Sequence, residues 1–130
     1  ENLVLLSQVV EQASDFGLPV LVMLYLTDSV LGETYVKHIR KLLRLCCELA
    51  VDMVKIAFPA CVDDIPRVLE GLTSDIHVFF AGGTVNDNAQ TIQLIETAVS
   101  SGARGVCMGR NIFQNTQYSG LIETIGALCE

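Results

Sequence analysis

One lysine lies inside an otherwise apolar segment, and its position makes it the first candidate for chemistry. Lys55 stands between Val54 and Ile56, so in a buried strand its ammonium group would lose part of its hydration. This loss disfavours the charged form and favours a neutral amine, which can attack a carbonyl carbon. The alternative is a lysine at a strand end whose amine reaches solvent or pairs with an acid. The segment by itself leaves both interpretations open.

Two glycine-containing segments have the composition of phosphate-binding loops. The first contains Gly82 and Gly83, and the second contains Gly109 and Arg110; each directly follows an apolar run. Glycines allow a tight turn whose backbone N–H groups point at one anion, and arginine adds a matching cation. Each segment taken singly is more often a simple strand-to-helix turn. On adjacent strands, however, they predict a single phosphate site.

The same glycines carry a prediction about backbone conformation. We expect Gly83 to adopt a positive φ in this turn. A β-branched side chain resists that conformation, so Gly83→Val is expected to cost more stability than a typical surface substitution.

A tyrosine ends the first apolar run and is therefore expected at the same edge of the sheet. The hydroxyl of Tyr25 can transfer a proton to or from a substrate oxygen. The alternative is an amphipathic residue at the rim of the core. Asp28 and Glu33 follow in the next loop and are possible helpers, although their spacing does not single them out.

These candidate residues fall on a regular alternation of helical and strand patterns. The first strand is a continuous apolar run, which predicts a strand buried on both faces, as in a parallel sheet. Asn86 or Asp87 is expected to cap the fourth helix, which ends near Ser100, and a tight turn is expected before the last helix. The other predicted helices cover residues 1–16, 35–49, 63–72 and 117–129, and the predicted strands cover 19–25, 51–57, 76–81 and 105–109.

The alternation predicts an α/β fold, and two architectures fit it. One is a small doubly wound sheet, which the length of 130 residues favours. The other is half of a (β/α)8 barrel, whose usual length is about 250 residues. The glycine loops favour the barrel, because phosphate sites recur on its last two strands.

Composition excludes several classes of protein. The chain is 51% hydrophobic with a net charge of −7, which argues against a disordered chain and against a nucleic-acid or anionic-membrane partner. No apolar run approaches the roughly 18–20 residues that span a bilayer. The first residues lack the basic segment of a signal peptide. These features predict a cytoplasmic protein with no membrane or nucleic-acid partner.

The cysteines predict neither disulfides nor a metal site. Their number is odd, two are adjacent, and no CxxC spacing occurs. We expect buried free thiols in a reducing compartment. The five cysteines are Cys46, Cys47, Cys61, Cys107 and Cys129.

Three segments together resemble a known enzyme family. They are residues 51–55 (VDMVK), 80–83 (FAGG) and 105–114 (GVCMGRNIFQ). Their order and spacing are similar to the last three strands of the archaeal-type class I fructose-bisphosphate aldolases. They are also similar to relatives in the deoxyribose-phosphate aldolase superfamily, including the thiolase that degrades phosphorylated autoinducer-2.

The resemblance implies an architecture as well as a family. It covers nearly the whole chain but only the C-terminal half of a family TIM barrel. Residues 1–130 are therefore expected to form a single partial aldolase domain with four parallel strands, which correspond to barrel strands five to eight.

The resemblance also implies roles for the candidate residues, with no metal or other cofactor. Lys55 matches the lysine that forms a Schiff base with a phosphorylated ketose or with dihydroxyacetone phosphate. Tyr25 matches the general acid/base. The remaining matches are to the loops that bind the substrate phosphate, and they comprise Gly82, Gly83, Gly109 and Arg110.

Departures from the family pattern leave the substrate open. Leu26, Thr27 and Asp28 stand where bisphosphate aldolases usually have Pro-Arg-Gly, so a basic contact to a second phosphate is missing. Ala57 and Phe58 replace the aromatic hydroxyl or second lysine that often follows the Schiff-base lysine. These departures count against fructose bisphosphate itself, and a smaller phosphorylated sugar or a diketone phosphate is an equal alternative.

The expected function is a class I aldolase of phosphorylated sugars, and two alternatives remain. One is a thiolase-like acyl transfer on a phosphorylated diketone, and the other is a non-catalytic phosphate-binding fragment. A half barrel also exposes sheet edges and an apolar interior. We therefore expect a homo-oligomer or association with the missing N-terminal half.

Overall fold

In the described part of the chain, four strands alternate with helices, and two helices follow the last strand. A computed structural model describes residues 2–26, 31–72, 76–83, 87–116 and 118–129. The strands are β1 (Leu21–Met23), β2 (Met53–Ala57), β3 (His77–Ala81) and β4 (Gly105–Cys107). The helices are α1 (Asn2–Asp15), α2 (Gly32–Glu48), α3 (Asp64–Leu69), α4 (Asn88–Ser100), α5 (Arg110–Phe113) and α6 (Tyr118–Cys129).

The strands form one parallel sheet in the order β1-β2-β3-β4. Consecutive strands are therefore neighbours, and the sheet lacks the reversal of strand order that defines a doubly wound fold. Sequential parallel strands joined by helices are the arrangement of a (β/α)8 barrel. The structure confirms the expected α/β half barrel and argues against the doubly wound alternative.

The hydrophobic core lies on one side of this sheet. Val54, Ile56, Val78 and Phe80 alternate along β2 and β3 and are almost completely buried. Their side chains belong to the same cluster as the buried stripe of α2, which includes Ile39. The interleaved residues of the two strands face the other side, where burial is incomplete. This second side is called the open face below; its members on the central strands include Met53, Lys55 and Phe79.

The prediction of a first strand buried on both faces is wrong. β1 covers only three residues, and Leu21 and Met23 on its open face are 40% and 47% exposed. β1 is the edge strand of the sheet, so it has a neighbour on one side only. An apolar run indicates that a strand is covered in the complete fold, but it does not say which element provides the cover.

Several predicted element boundaries also move. The second helix begins at Gly32, three residues before its predicted start, and the third is limited to Asp64–Leu69. The tight turn expected after the fourth strand contains the short helix α5. Asp87 is confirmed as the N-cap of α4, because its carboxylate accepts a hydrogen bond of 2.9 Å from the Gln90 amide. Asn86 lies outside the described residues.

The cysteines are less uniformly buried than expected. Cys46 is buried in α2, whereas Cys61 and Cys129 are exposed thiols. Burial, with a smaller contribution from Cys47, raises the pKa of the Cys46 thiol to about 11. Within the described residues, no helix is both long enough and apolar enough to cross a bilayer.

Candidate active site

The structure places Lys55 and Tyr25 on adjacent strands near the C-terminal edge of the sheet. Lys55 pairs with Met23 of β1 in the parallel register. The ladder continues one residue further, where the Leu24 amide donates to the Lys55 carbonyl at 2.9 Å. Tyr25 follows directly and is 64% exposed. It therefore lies just beyond the C-terminal end of β1 with most of its side chain accessible.

Lys55 is half-buried on the open face of the sheet. Its partners in the register are apolar on both sides, Met23 in β1 and Phe79 in β3. Among the residues that the structure describes, no carboxylate forms an ion pair with its amine. Asp28, a possible helper, lies outside these residues. The lysine is thus an amine on an apolar surface, close to the edge where loops begin.

The two glycine loops lie against each other at the same edge. The Gly82 amide donates to the Cys107 carbonyl at 3.2 Å, which links the end of β3 to β4. A Cβ atom at Gly82 would lie 2.6 Å from Asn111 Oδ1 and 3.3 Å from Met108 Cα. The first separation is shorter than Cβ atoms show and the second is tight, so a side chain here would force its neighbours to shift. The glycine therefore allows the two loops to approach.

The predicted positive φ of Gly83 is wrong. Gly83 is absent from the residues with left-handed backbone, and a Cβ there would meet nothing within 4 Å. Of the two adjacent glycines, Gly82 is the one that the fold requires. Gly83 is exposed at the start of the loop.

The basic residue of this edge is Arg110, which is exposed in α5 directly after Gly109. In the described part of the chain, its guanidinium pairs with no carboxylate. Gly109 is also exposed, and a Cβ there would meet nothing within 4 Å. The loop after β4 thus offers a cation beside the loop after β3.

A cavity of about 340 Å³ opens between the C-terminal ends of the last three strands. Ala57 and Ala81, the last residues of β2 and β3, line it together with Gly83 and Asn111 of the two glycine loops. Thr91 and Leu94 of α4 also line it, so it extends toward the helical side of the sheet edge. Lys55 precedes Ala57 by two residues and is not among the lining residues. The cavity therefore adjoins both glycine loops.

Two residues at this edge were not identified from the sequence. Asn111 is only 4% exposed and lies against Gly82. Tyr35, in the first turn of α2, donates from its hydroxyl to the Ala57 carbonyl at 2.6 Å. Burial raises the pKa of Tyr35 to about 12. The sequence signal for Asn111 was a polar residue directly after Gly109-Arg110, and the signal for Tyr35 was a tyrosine at the start of a predicted helix.

Glu33 is occupied in an ion-pair network rather than at the edge of the sheet. Its carboxylate pairs with Arg67 of α3, and Arg67 also binds the Asp64 carboxylate at 2.7 Å. The hydrogen bond and charge of Arg67 lower the pKa of Glu33. Within the described ranges, no group of three or more His, Cys, Asp or Glu side chains is placed to hold a metal ion.

Comparison with known proteins identifies related sequences. A family model described as DeoC/LacD family aldolase matches residues 1–115. A curated relative from Halobacterium salinarum, 2-amino-3,7-dideoxy-D-threo-hept-6-ulosonate synthase, is 28% identical over 128 residues. That alignment covers 98% of this chain and 48% of the relative. A similarly named synthase from Archaeoglobus fulgidus is 30% identical over 105 residues, which cover 81% of this chain and 38% of the relative.

A solved structure has the same fold. It is a Schiff-base-forming fructose-1,6-bisphosphate aldolase, which superposes with a TM-score of 0.81 at 21% identity. The match covers 96% of this chain and 50% of the solved one. The chain therefore spans about half the length, or less, of the proteins that it resembles.

Proposed function

Since the chain belongs to the DeoC/LacD family of aldolases, we propose that it carries the Schiff-base lysine of a class I aldolase, Lys55. The observation that supports this most directly is the arrangement at one edge of the sheet. Tyr25 follows β1, Lys55 lies in the middle of β2, and the two glycine loops follow β3 and β4. An amine, a phenol and an anion site on successive strands are what the reaction requires.

The chemistry begins at the lysine amine. The neutral Lys55 amine attacks the carbonyl carbon of a phosphorylated ketose, and loss of water gives a protonated Schiff base. When the bond between the α and β carbons of the Schiff base breaks, its electron pair forms the carbon–carbon double bond of an enamine, and the iminium nitrogen becomes neutral. A proton then adds to the enamine carbon, and hydrolysis releases the ketone product and regenerates the amine. The reverse sequence forms the carbon–carbon bond.

Tyr25 is the proposed general acid/base. Cleavage requires that a substrate hydroxyl lose its proton as its oxygen becomes the carbonyl of the aldehyde product. Tyr25 is an exposed phenol directly beyond the strand beside Lys55, which supports this role. In its phenolate form it would accept that proton and become the neutral hydroxyl. In the synthetic direction the same hydroxyl returns the proton to the aldehyde oxygen.

The substrate phosphate is proposed to bind between the two glycine loops. Gly83 and Gly109 are exposed at the ends of β3 and β4, and Arg110 supplies a guanidinium with no described carboxylate partner. Gly82 keeps the loops in contact. A phosphate bound there would hold the carbonyl carbon near Lys55 and reduce the entropy lost in the attack.

The substrate class is proposed as phosphorylated sugars and ketones. The names of the matched proteins include a synthase of an amino-dideoxy-heptulosonate and a fructose-1,6-bisphosphate aldolase. Leu26 follows Tyr25, where the bisphosphate aldolases usually have a proline followed by arginine. This difference supports a substrate that carries one phosphate rather than two.

The active protein is proposed to be a complete barrel in the cytoplasm. The chain covers about half of its relatives, and its strands are assigned as barrel strands five to eight of one partial domain, residues 1–130. The open face around Lys55 is apolar and incompletely covered. A second four-stranded half, from the same protein or from another copy, would close the face over the lysine.

Borohydride trapping tests the proposal. The complete protein is incubated with dihydroxyacetone phosphate and sodium borohydride, which reduces a Schiff base to a stable amine, and peptides are analysed by mass spectrometry. We expect one adduct, on Lys55, and none in Lys55→Arg. Lys41→Arg, on the exposed surface of α2, is the matched control and should trap like the parent. A folded protein with no adduct, or with an adduct elsewhere, would contradict the assignment.

The two alternatives predict other results. A thiolase-like acyl transfer would require coenzyme A for product formation from a phosphorylated diketone. A non-catalytic fragment would bind phosphate esters equally well in the parent and in Lys55→Arg, with no covalent adduct in either protein.

A further inference from the structure

One hydrogen bond at the end of β2 does not come from the sheet. In a strand, alternate residues direct their backbone groups to the same neighbour. Met53 and Lys55 bond to β1, since the Met53 amide donates to Val20 and the Lys55 carbonyl accepts from Leu24. The next carbonyl on that side belongs to Ala57, beyond the last register pair of β1 and β2.

The hydroxyl of Tyr35 supplies the hydrogen bond at this point. It donates to the Ala57 carbonyl at 2.6 Å, across 22 residues of sequence. A backbone amide of β1 would be the donor here if the ladder continued. The side chain of Tyr35 is 9% exposed, so water has little access to compete for the carbonyl.

The helix that carries Tyr35 is held in place on both sides. Glu33, in the same turn of α2, pairs with Arg67 of α3, and Arg67 also pairs with Asp64. Val36 and Ile39 of α2 are buried in the core. These contacts hold the first turn of α2 in place, and the Tyr35 side chain extends from this turn to the end of β2.

We infer that Tyr35 is a positioning residue for Lys55, because its hydroxyl holds the last residue of β2 in the line of the sheet. This inference rests on the proposed function of Lys55. Ala57 lies two residues beyond Lys55 on the same face of β2 and lines the cavity at the sheet edge. Loss of the bond releases the strand end, so the amine spends less time in the orientation that attacks a bound carbonyl.

The tyrosine acts as a hydrogen-bond donor and not as a proton-transfer group. Burial holds its pKa at about 12, so the hydroxyl stays protonated across the working range of an aldolase. The factor by which Tyr35 increases the rate of reaction at Lys55 is therefore the same at every pH in that range.

Tyr35→Phe removes the hydroxyl and keeps the ring in the core. In the complete protein, we expect the rate of borohydride trapping at Lys55 to fall about three- to tenfold, as for the loss of one buried hydrogen bond. In turnover, we expect kcat to fall while KM is unchanged, because the phosphate loops are not altered. The pH profile of trapping should keep its shape.

Two controls separate positioning from loss of stability. Tyr118→Phe removes the hydroxyl of a tyrosine on α6 and should trap like the parent. Ile39→Val weakens the packing of α2 one turn beyond Tyr35 without touching Ala57, so it should lower stability with little effect on trapping. A trapping rate in Tyr35→Phe equal to that of the parent, or reduced to the same extent in Ile39→Val, would overturn the inference.

Amide hydrogen exchange tests the same inference without catalysis. The segment 53–60 should exchange faster in Tyr35→Phe than in the parent, whereas the β3 segment 77–81 should not change. If the parent protein gave no adduct, the proposed function of Lys55 would fail. The hydrogen-exchange result would still decide whether the Tyr35 hydroxyl holds the end of β2. Unchanged exchange in segment 53–60 would overturn the inference by itself.

Discussion

At the scale of single residues, the edge of the sheet depends on one close approach between loops. Gly82 lies where a Cβ atom would be 2.6 Å from the Asn111 side chain and 3.3 Å from the Met108 backbone. The Asn111 oxygen belongs to a side chain, whereas the Met108 Cα can move only with its loop. A Cβ atom at Gly83, its neighbour in sequence, would meet nothing within 4 Å. The two glycines therefore differ: Gly82 allows the loops to come together, and Gly83 has room for a side chain.

We predict that Gly82→Ala destabilises the protein by about 1–3 kcal/mol, the usual cost of overpacking. Gly83→Ala is the matched control and should change the free energy of unfolding by less than about 0.5 kcal/mol, as for an ordinary surface substitution. Urea unfolding followed by circular dichroism measures both. Equal effects of the two substitutions would contradict the loop contact.

At the scale of elements, three helices end in the same way. After α1, α2 and α4, the second residue beyond the helix has a left-handed backbone, and these residues are Gly17, Ala50 and Gly102. After α2, the Ala50 amide donates to Cys47 and the Val51 amide donates to Cys46. This pair of bonds is the Schellman motif, in which glycine is the preferred residue because it has no Cβ. Ala50 is the exception, and it carries conformational strain.

We predict that Ala50→Gly stabilises the protein by about 0.5–1 kcal/mol, because relief of the left-handed strain exceeds the added entropy of the unfolded chain. Ala50 is exposed, so little packing is lost. Gly102→Ala, at the equivalent position after α4, should have the opposite sign with about 1 kcal/mol of destabilisation. Thermal and urea unfolding measure both variants. A less stable Ala50→Gly protein would refute the assigned motif.

At the scale of the whole molecule, helices cover one face of the sheet and leave the other incompletely covered. The helices cover Val54, Ile56, Val78 and Phe80 almost completely. The open face carries apolar side chains with partial or no cover, and Met23 on the edge strand is 47% exposed. A parallel sheet is normally covered on both faces. An apolar face of this kind is a surface for association.

We predict that the 130-residue chain by itself associates as its concentration rises, and that Met23→Lys on the open face weakens this association. Light scattering after size-exclusion chromatography measures the molar mass over a wide concentration range. Val9→Lys, which places the same charge on the exposed side of α1, is the control and should associate like the parent. If the chain stays monomeric at all concentrations, or if Val9→Lys has the larger effect, the open face is not the site of association.

Much of this arrangement could be predicted from residue patterns. The apolar runs identified all four strands, and the glycines that follow two of them marked the edge where the loops meet. The lysine in the second run was recognised because its charge contrasts with its neighbours. The short helix α5 and the three-residue length of β1 could not be predicted, since each depends on contacts beyond a few neighbouring residues.

Residue types within a few positions determined the order of the elements and predicted a parallel sheet. They also indicated the capping of α4 by Asp87 and the family resemblance. These features could be predicted because hydration and local backbone preference act over short distances. Only the tertiary structure decided that Gly82 rather than Gly83 is the required glycine, since the clashing atoms come from the loop after β4. It also decided which face of the sheet stays open and that Tyr35 bonds to Ala57. These contacts join residues far apart in sequence, so their geometry exists only once the strands have been placed side by side.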